Sequence, residues 1–421
     1  MKRRFAFVAF VLAWTAIACQ LIAGIDRVSP EDRPERAPDP PDVYEAAPPI
    51  PDPCAHVGPP APPITDDEPA IEKQLPSFYV ALSEFHLVAR TDAGAYQGFD
   101  LDGTCTCDTR PGSAHDGGAS CKGPKTCDFD GGVDNGSSAL YEQFGTIVPD
   151  LDKAADINKH IALGESGTLI EISNYNGLAN DKAVNVGIVV SSGIYDGSGC
   201  GTNDGGPPPY PSGWCGNDLW TVDPAQVVGD TPPYGSALSA PAYVTNHTLV
   251  VDDPKSYFEV PFGDVRLRLY SPVIVATIVP VDASGNPRDP NAPPPNPKDR
   301  YYRLDEGLLS GRLSAATILA AAGALRQPGS TMADAGADKY FCQSSAFALL
   351  AGALCGARDI ASSRQVDFDP KASCDALSAT SSFRAQPALA GEKRAPQPVS
   401  NPCVVTGDAG DSLTSLYQCP P

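Results

Sequence analysis

The sequence has few basic residues and none of the short motifs that mark common enzyme sites. Only 30 Lys and Arg residues stand against 51 Asp and Glu residues, which gives a formal net charge of −21. A surface of this charge repels nucleic acid and anionic lipid headgroups, so we expect no nucleic-acid partner. The five histidines are scattered, and the sequence contains no His-Glu-x-x-His, Gly-x-Ser-x-Gly or Cys-x-x-Cys motif. We therefore predict no catalytic residue and favour a protein that is not an enzyme.

An apolar run long enough to cross a bilayer is also missing, although the amino terminus has a shorter one. Residues 1–18 begin with three basic residues and continue without charge, which is typical of a signal peptide. The small residues before Cys19 resemble the bacterial lipoprotein box, with Ala16 in place of the usual leucine. This resemblance implies that Cys19 is acylated as the first mature residue, and Gln20 implies an outer-membrane destination. An ordinary signal peptide cut nearby is the alternative.

The cysteine count fits an exported chain. Thirteen cysteines are present, and twelve remain once Cys19 is assigned to the lipid. An even number in an oxidising compartment predicts up to six disulfides, among them a Cys200–Cys215 pair that closes a Gly/Pro loop. Zinc ligation is the weaker alternative, because export favours disulfides. The predicted disulfide cysteines are Cys54, Cys105, Cys107, Cys121, Cys127, Cys200, Cys215, Cys342, Cys355, Cys374, Cys403 and Cys419.

Composition divides the mature chain into three parts. Residues 19–77 hold the acylated cysteine and a Pro-rich linker, which is expected to be extended and to hold the folded part off the membrane. Residues 78–390 contain short strand-like runs separated by Pro, Gly or Asp. We predict a mainly β, disulfide-rich domain of β-sandwich or jelly-roll type with a helical insertion at about 304–361. Residues 391–421 form a polar tail.

Several elements of this domain are predicted individually. Residues 137–163 have helical spacing, and the runs 168–173 and 183–190 read as two strands of a hairpin. The runs 265–270 and 273–279 read as two separate strands, of which the second is apolar nearly throughout.

Closely spaced aspartates and glycines stand out in residues 98–135. Ca²⁺ takes six to eight oxygen ligands, and aspartates one or two residues apart with glycine bends can surround it. The pattern is not that of an EF-hand, and the alternative is that Asp and Gly simply form turns. We predict Ca²⁺ as the candidate cofactor, and its candidate ligands are Asp100, Asp102, Asp108, Asp128, Asp130, Asp134 and Asn135.

Aromatic residues gather around the Cys200–Cys215 loop. Trp214 and Trp220 lie close to Tyr210 and Tyr234 in sequence, and aromatic rings at the rim of a β domain can stack on sugars. Trp214 and Trp220 are therefore the candidate glycan-binding residues. The alternative is that both rings pack the loop onto the domain.

Several segments together resemble exported lipoproteins of myxobacteria that have no assigned activity. They include Gly-Phe-Asp-Leu-Asp-Gly-Thr-Cys-Thr-Cys at 98–107, Asp-Gly-Gly-Val-Asp-Asn at 130–135 and Cys-Asp-Ala-Leu-Ser at 374–378, besides the box at Cys19. The resemblance implies an envelope location and a shared fold, and it supplies no catalytic residues.

The sequence thus favours a lipid-anchored cell-envelope protein of a Gram-negative bacterium. Its expected role is that of a non-catalytic surface or ligand-binding module, with glycan or calcium as the ligand and the membrane contacted through the lipid alone. An envelope hydrolase acting on polysaccharide or peptidoglycan is one alternative, and a purely structural envelope protein is another. Composition does not determine the oligomeric state.

Overall fold

A computed structural model describes the conformation of most of the predicted domain. The described residues are 54–67, 75–107, 118–124, 126–147, 154–165, 167–196, 213–214, 216–262, 265–282, 286–289, 301–325, 340–369, 371–395, 403 and 417–419. Outside them lie the predicted signal peptide, Cys19, most of the linker and the polar tail, Asp108, Cys200 and Cys215.

Eight antiparallel strands form the body of the domain, and five shorter strands lie outside them. In spatial order the eight are β1 (Phe78–His86), β2 (Gly167–Ser173), β3 (Asp181–Ser191), β8 (Ser239–Thr245), β9 (Thr248–Asp252), β11 (Val265–Val281), β12 (Tyr301–Ser314) and β13 (Ala376–Lys393). The shorter strands are β4 (Ile194–Asp196), β5 (Leu219–Val222), β6 (Val227–Val228), β7 (Gly235–Ser236) and β10 (Tyr257–Phe262).

The eight strands close into a barrel because the first and the last strand pair with each other. Along this seam, Tyr79 of β1 lies opposite Ala388 of β13, and His86 lies opposite Ser382. The predicted sandwich or jelly roll is therefore wrong, whereas the mainly β class and the disulfide-rich character are confirmed. The sequence signal is the same for both folds, since each has strands that alternate between a buried and an outer face.

Side chains fill the inside of the barrel. Ile170 and Ile172 of β2, like Val184 and Val186 of β3, alternate inward and are fully or almost fully buried. The predicted hairpin 168–173/183–190 is confirmed by the pairing of these two strands. A barrel of eight strands is just wide enough to be filled in this way, so its interior is a hydrophobic core.

Bulges bend the longest strands around this core. The pairing register of β12 with β13 shifts between Leu304 and Gly307, where Glu306 has φ 52°. β11 is one strand of 17 residues, although two strands were predicted in its place. Ser271, with φ 48°, lies at the bend where β11 changes register against β12. An extra residue at such a point kinks a strand without ending it.

The helices are short, and one of them adds Ile157 and Ile161 to the core inside the barrel. They are α1 (Gly136–Ile147), α2 (Ala154–Ala162), α3 (Ala315–Ala324) and α4 (Ser345–Gly356). The first two confirm the predicted helical region 137–163 over the residues described. The predicted helical insertion at 304–361 is wrong in its first part, because Tyr301–Ser314 forms β12. Pairing with β11 and β13 over most of its length outweighs the helix propensity of its leucines.

Three layers cover the outside of the barrel. β5 places Trp220 against the outward-facing Tyr79 and Leu169, and the Asp/Cys-rich loops place Phe99 and Leu101 against β11. Helices α3 and α4 form the third layer, which two disulfides, Cys342–Cys403 and Cys355–Cys419, tie to the end of the chain. None of the helices in the described segments has the length and apolarity needed to cross a membrane.

Candidate functional site

The Asp/Cys-rich loops form a layer over the outer wall of β12 and β13. Phe99 forms a bridge with Asp134, which brings the two Asp-containing turns side by side. Three disulfides hold the layer together, and one of them joins it to the start of β13. These disulfides are Cys54–Cys105, Cys107–Cys127 and Cys121–Cys374.

Three of the predicted calcium ligands meet in this layer. Asp100, Asp102 and Asp134 each place a carboxylate oxygen within 4.8 Å of the other two. Asp102 and Asp134 are only 4% and 2% exposed. Three neighbouring buried carboxylates repel one another, and either bound protons or a cation can offset that repulsion.

Hydrogen bonds from the loops hold the three carboxylates in place. The Leu101 N–H donates to Asp134 Oδ2 at 2.6 Å, and the Gly103 N–H donates to Asp100 Oδ1 at 2.6 Å. Asp102 accepts three bonds, from the N–H and hydroxyl of Thr104 and from the hydroxyl of Ser120. The backbone geometry thus fixes these oxygens before any ligand arrives.

Burial raises the pKa values of the acidic groups in this layer. For Asp128, burial and the neighbouring Asp102 outweigh the bond from the Thr106 N–H and raise the pKa to about 7. Burial also raises the pKa of Asp134 well above its ordinary value, with further contributions from the charges of Asp102 and Asp128. The pKa of Asp100 shifts upward through burial too, opposed by its hydrogen bond with His56. Burial therefore favours the protonated forms of Asp100, Asp128 and Asp134.

The remaining predicted calcium ligands have other positions. Asp130 is exposed, and Asp108 lies outside the described residues. Asn135 links the layer to its surroundings, because its Nδ2 donates to the Gln97 carbonyl and its Oδ1 accepts from the Thr380 N–H. Calcium at Asp100, Asp102 and Asp134 stays a prediction.

Sequence reasoning missed the polar groups that the barrel wall contributes. Arg312 of β12 points outward into the acidic layer at 1% exposure. Asp359 is buried beside β13, where it accepts from the Ser378 N–H at 2.8 Å and from the Ser378 hydroxyl at 2.5 Å. Burial raises the pKa of Asp359 to about 6. A break in hydrophobic alternation, with Ser310 and Arg312 on one face of a central strand, is the sequence signal that could have identified them.

A second candidate site is a groove at the other end of β13. It has a volume of about 740 Å³ and runs between the end of β13, β5, the start of β1 and the start of β12. Aromatic and proline residues make up half of the residues that line it. They are Pro76, Phe78, Tyr79, Tyr195, Pro232, Pro233, Tyr234, Tyr301, Tyr302 and Pro387.

Two glycines let tyrosine rings lie directly on the backbone of this groove. A Cβ on Gly216 would stand 2.7 Å from the Tyr301 ring, and Gly216 has φ 88°. A Cβ on Gly391 would lie 2.2 Å from the ring of Tyr195. Tyr79 is fixed from below, because its hydroxyl donates to the Tyr234 carbonyl at 2.5 Å. The tyrosine wall is therefore built into the fold.

The polar groups of the groove are few. Asn217, Ser77 and the tyrosine hydroxyls supply neutral donors and acceptors, and Glu392 is the one acidic residue among the described lining residues. Glu392 pairs with Arg394. Glycoside hydrolysis ordinarily needs two carboxyl groups on either side of the scissile bond, and the described lining does not assemble such a pair.

The predicted glycan-binding tryptophans lie beneath this region. Trp220 is completely buried, and Trp214 is half-buried with its ring 5.7 Å from that of Trp220. Neither is among the residues that line the groove. The structure thus places the two rings in the packing between β5 and the barrel, whereas Tyr195 and Tyr301 are the half-buried tyrosines of the groove wall.

Comparison with known proteins adds no family and no relative. No family model matches the chain, and the comparisons found neither a similar curated protein nor a similar solved structure. The two sites therefore have to be interpreted from their own chemistry.

Proposed function

We propose that this chain is a lipid-anchored protein of the cell envelope whose barrel domain binds glycan without turning it over. The observation that carries the proposal is the groove with tyrosines along its wall and a single carboxylate. Its volume of about 740 Å³ lies within the range of small-ligand sites. Flat aromatic faces suit the C–H faces of sugar rings, and the hydroxyls and the Asn217 amide can hydrogen-bond sugar hydroxyls.

The charge of the protein limits the class of glycan that is expected to bind. With a net charge of −21, the surface disfavours acidic polymers, so a neutral or basic glycan is the expected ligand. The lipid at Cys19 and the linker would hold the groove near the envelope. Mass spectrometry of the mature amino terminus tests the anchor: an unmodified first residue other than Cys19 would overturn it.

Binding and turnover can be separated in one comparison. The purified mature chain is applied to a glycan array and, in parallel, to a panel of polysaccharide and peptidoglycan substrates. We expect binding without product. Tyr301→Ala should weaken binding about tenfold, because a stacked ring contributes on the order of 1 kcal/mol or more. Tyr257→Ala is the matched control, since Tyr257 lies on β10 and does not line the groove.

Each contrary outcome supports a named alternative. Turnover that Glu392→Gln abolishes would support the envelope hydrolase. Neither binding on the array nor product from the substrate panel would support a purely structural envelope protein. If Tyr301→Ala leaves binding unchanged, the glycan binds outside the groove.

A further inference from the structure

A small apolar pocket lies at the end of the barrel opposite the groove. At this end β1 and β12 finish and β11 and β13 begin, and one side of the pocket is formed by Leu267, Leu313 and Leu377 of these strands. Residues of helices α1, α3 and α4 form the other side. The volume is about 160 Å³, and none of the described lining residues carries a charge. The mouth of a β-barrel is a common position for a small-ligand site.

Covalent bonds fix the helical side of this pocket. Cys342 and Cys355 each follow directly after a residue that lines it. They form disulfides with Cys403 and Cys419 near the end of the chain. These bonds restrict the movement of α4 and of the turn before it, so the helices are not free to close onto the empty space. A preformed pocket of this kind lowers the ordering cost of binding.

One polar side chain faces this aliphatic space. Ser381 of β13 lies opposite Leu309 of β12, which belongs to the core inside the barrel. Ala379 and Phe383, two positions away on either side, belong to the same core, so Ser381 shares their inward face. It is 8% exposed and lines the pocket, and no group in the described part of the chain hydrogen-bonds its hydroxyl. A buried hydroxyl without a partner costs free energy, and an oxygen of a ligand would supply the missing partner.

The lining and the volume define the class of ligand. An ionic group would lose its hydration in a lining without charge, so the ligand is uncharged where it enters the pocket. An aliphatic cavity of about 150 Å³ holds a ring of six carbon atoms. The volume of about 160 Å³ therefore suits an aliphatic chain of about six to eight carbon atoms.

We propose that this pocket binds the aliphatic chain of an uncharged, lipid-like molecule, and that the Ser381 hydroxyl hydrogen-bonds an oxygen of that molecule. Burial of the chain against the leucines of the strands and helices drives the binding, and the serine selects a ligand that has a neutral oxygen. The pocket and the tyrosine-lined groove lie at opposite ends of β13. The inference therefore goes beyond glycan binding and does not depend on it.

Isothermal titration calorimetry of the full mature chain with 1-octanol tests the site, with octanoate at pH 8 as the charged counterpart. We expect saturable binding of 1-octanol and binding of octanoate that is weaker by about tenfold or more, because the carboxylate would have to approach an uncharged lining. Tyr301→Ala changes the groove and should leave the affinity for 1-octanol unchanged. No saturable binding of 1-octanol, equal affinities for the alcohol and the carboxylate, or loss of binding in Tyr301→Ala would overturn the proposal.

Variants of two lining residues assign the binding to this pocket. Ser381→Ala should weaken 1-octanol binding about two- to tenfold and should not lower the melting temperature, because the hydroxyl that it removes has no partner in the described part of the chain. Ser382→Ala is the matched control, since Ser382 is the next residue of β13, lies on its other face and does not line the pocket.

Ala322→Leu on α3 should fill the space and abolish 1-octanol binding. Where this variant folds poorly, the comparison of Ser381→Ala with Ser382→Ala decides alone. Equal affinities for 1-octanol in the wild type and Ser381→Ala, or unchanged binding in a folded Ala322→Leu, would overturn the proposal.

Discussion

Arg312 and Asp367 form a two-armed ion pair between the barrel wall and the acidic layer. Nη1 donates to Oδ1 at 2.7 Å and Nη2 to Oδ2 at 2.5 Å, and the side chains are 1% and 7% exposed. The same guanidinium donates to the carbonyls of Ala361 and Leu101. The Arg312 guanidinium, which extends from β12, therefore anchors two separate loop segments of the layer.

Replacing this arginine is expected to destabilise the protein strongly. Arg312→Met leaves the Asp367 carboxylate buried without its partner, which typically costs about 3–5 kcal/mol. Chemical denaturation at pH 8 measures the loss. Arg90→Met is the matched control, because Arg90 forms its two-armed pair with Glu142 at the surface, where such pairs contribute about 1 kcal/mol or less. Equal losses for the two variants would contradict the anchoring role.

Stability should fall as the pH rises from about 4 to about 7. The ordinary pKa of an aspartate is 3.8, whereas burial raises that of Asp128 to about 7 and that of Asp359 to about 6. In this window the folded state holds protons that the unfolded state has lost, so raising the pH favours unfolding. Melting temperatures at pH 5 and pH 8 test this. Asp128→Asn should flatten the profile, while Asp130→Asn, at an exposed neighbouring position, should not.

Calcium should offset the repulsion among the clustered carboxylates at high pH. If Asp100, Asp102 and Asp134 bind it, millimolar Ca²⁺ should raise the melting temperature more at pH 8 than at pH 5, because burial holds the pKa of Asp134 well above its ordinary value and protons then compete with the cation. Asp102→Asn should remove the effect. The same melting temperature with and without Ca²⁺ at pH 8 would favour the interpretation of these aspartates as turn formers.

A single methyl group added at Gly307 should not fit into the barrel core without destabilising the protein. A Cβ there would lie 2.6 Å from the ring of Phe383, which is 3% exposed. Gly307→Ala should therefore destabilise the protein by about 1–3 kcal/mol through overpacking. Gly352→Ala on α4 is the control, because a Cβ there meets no atom within 4 Å and alanine favours helix. A neutral Gly307→Ala would mean that the Phe383 ring can move.

The long-range disulfide should contribute more than the short one. Cys121–Cys374 closes a loop of 253 residues and Cys107–Cys127 a loop of 20. Loop entropy predicts losses of about 5 and about 3 kcal/mol for the two double Cys→Ser variants. Cys121 and Cys374 are also buried against Ala361, so replacing them with serine should add to the loss of stability. A larger loss for C107S/C127S, measured by denaturation, would contradict the argument.

Local pattern was enough to predict many elements of this protein. The hairpin of β2 and β3 followed from alternation over 168–190, and the helices α1 and α2 followed from periodic spacing in 137–163. Cys54, Cys105 and eight further cysteines pair in the described structure. These features depend on residues close in sequence or on the chemistry of a residue type, so a single chain can reveal them.

The sequence by itself determined a β-rich, acidic, disulfide-braced protein with an amino terminus typical of export. Tertiary structure alone decided that β1 pairs with β13 to close a barrel, that Arg312 enters the acidic layer, and that five tyrosines from three strands and one turn form one groove. Each of these joins residues far apart in the chain. Alternation tells which face of a strand is buried, but it does not tell which strand lies beside it, because every strand offers the same backbone hydrogen bonds.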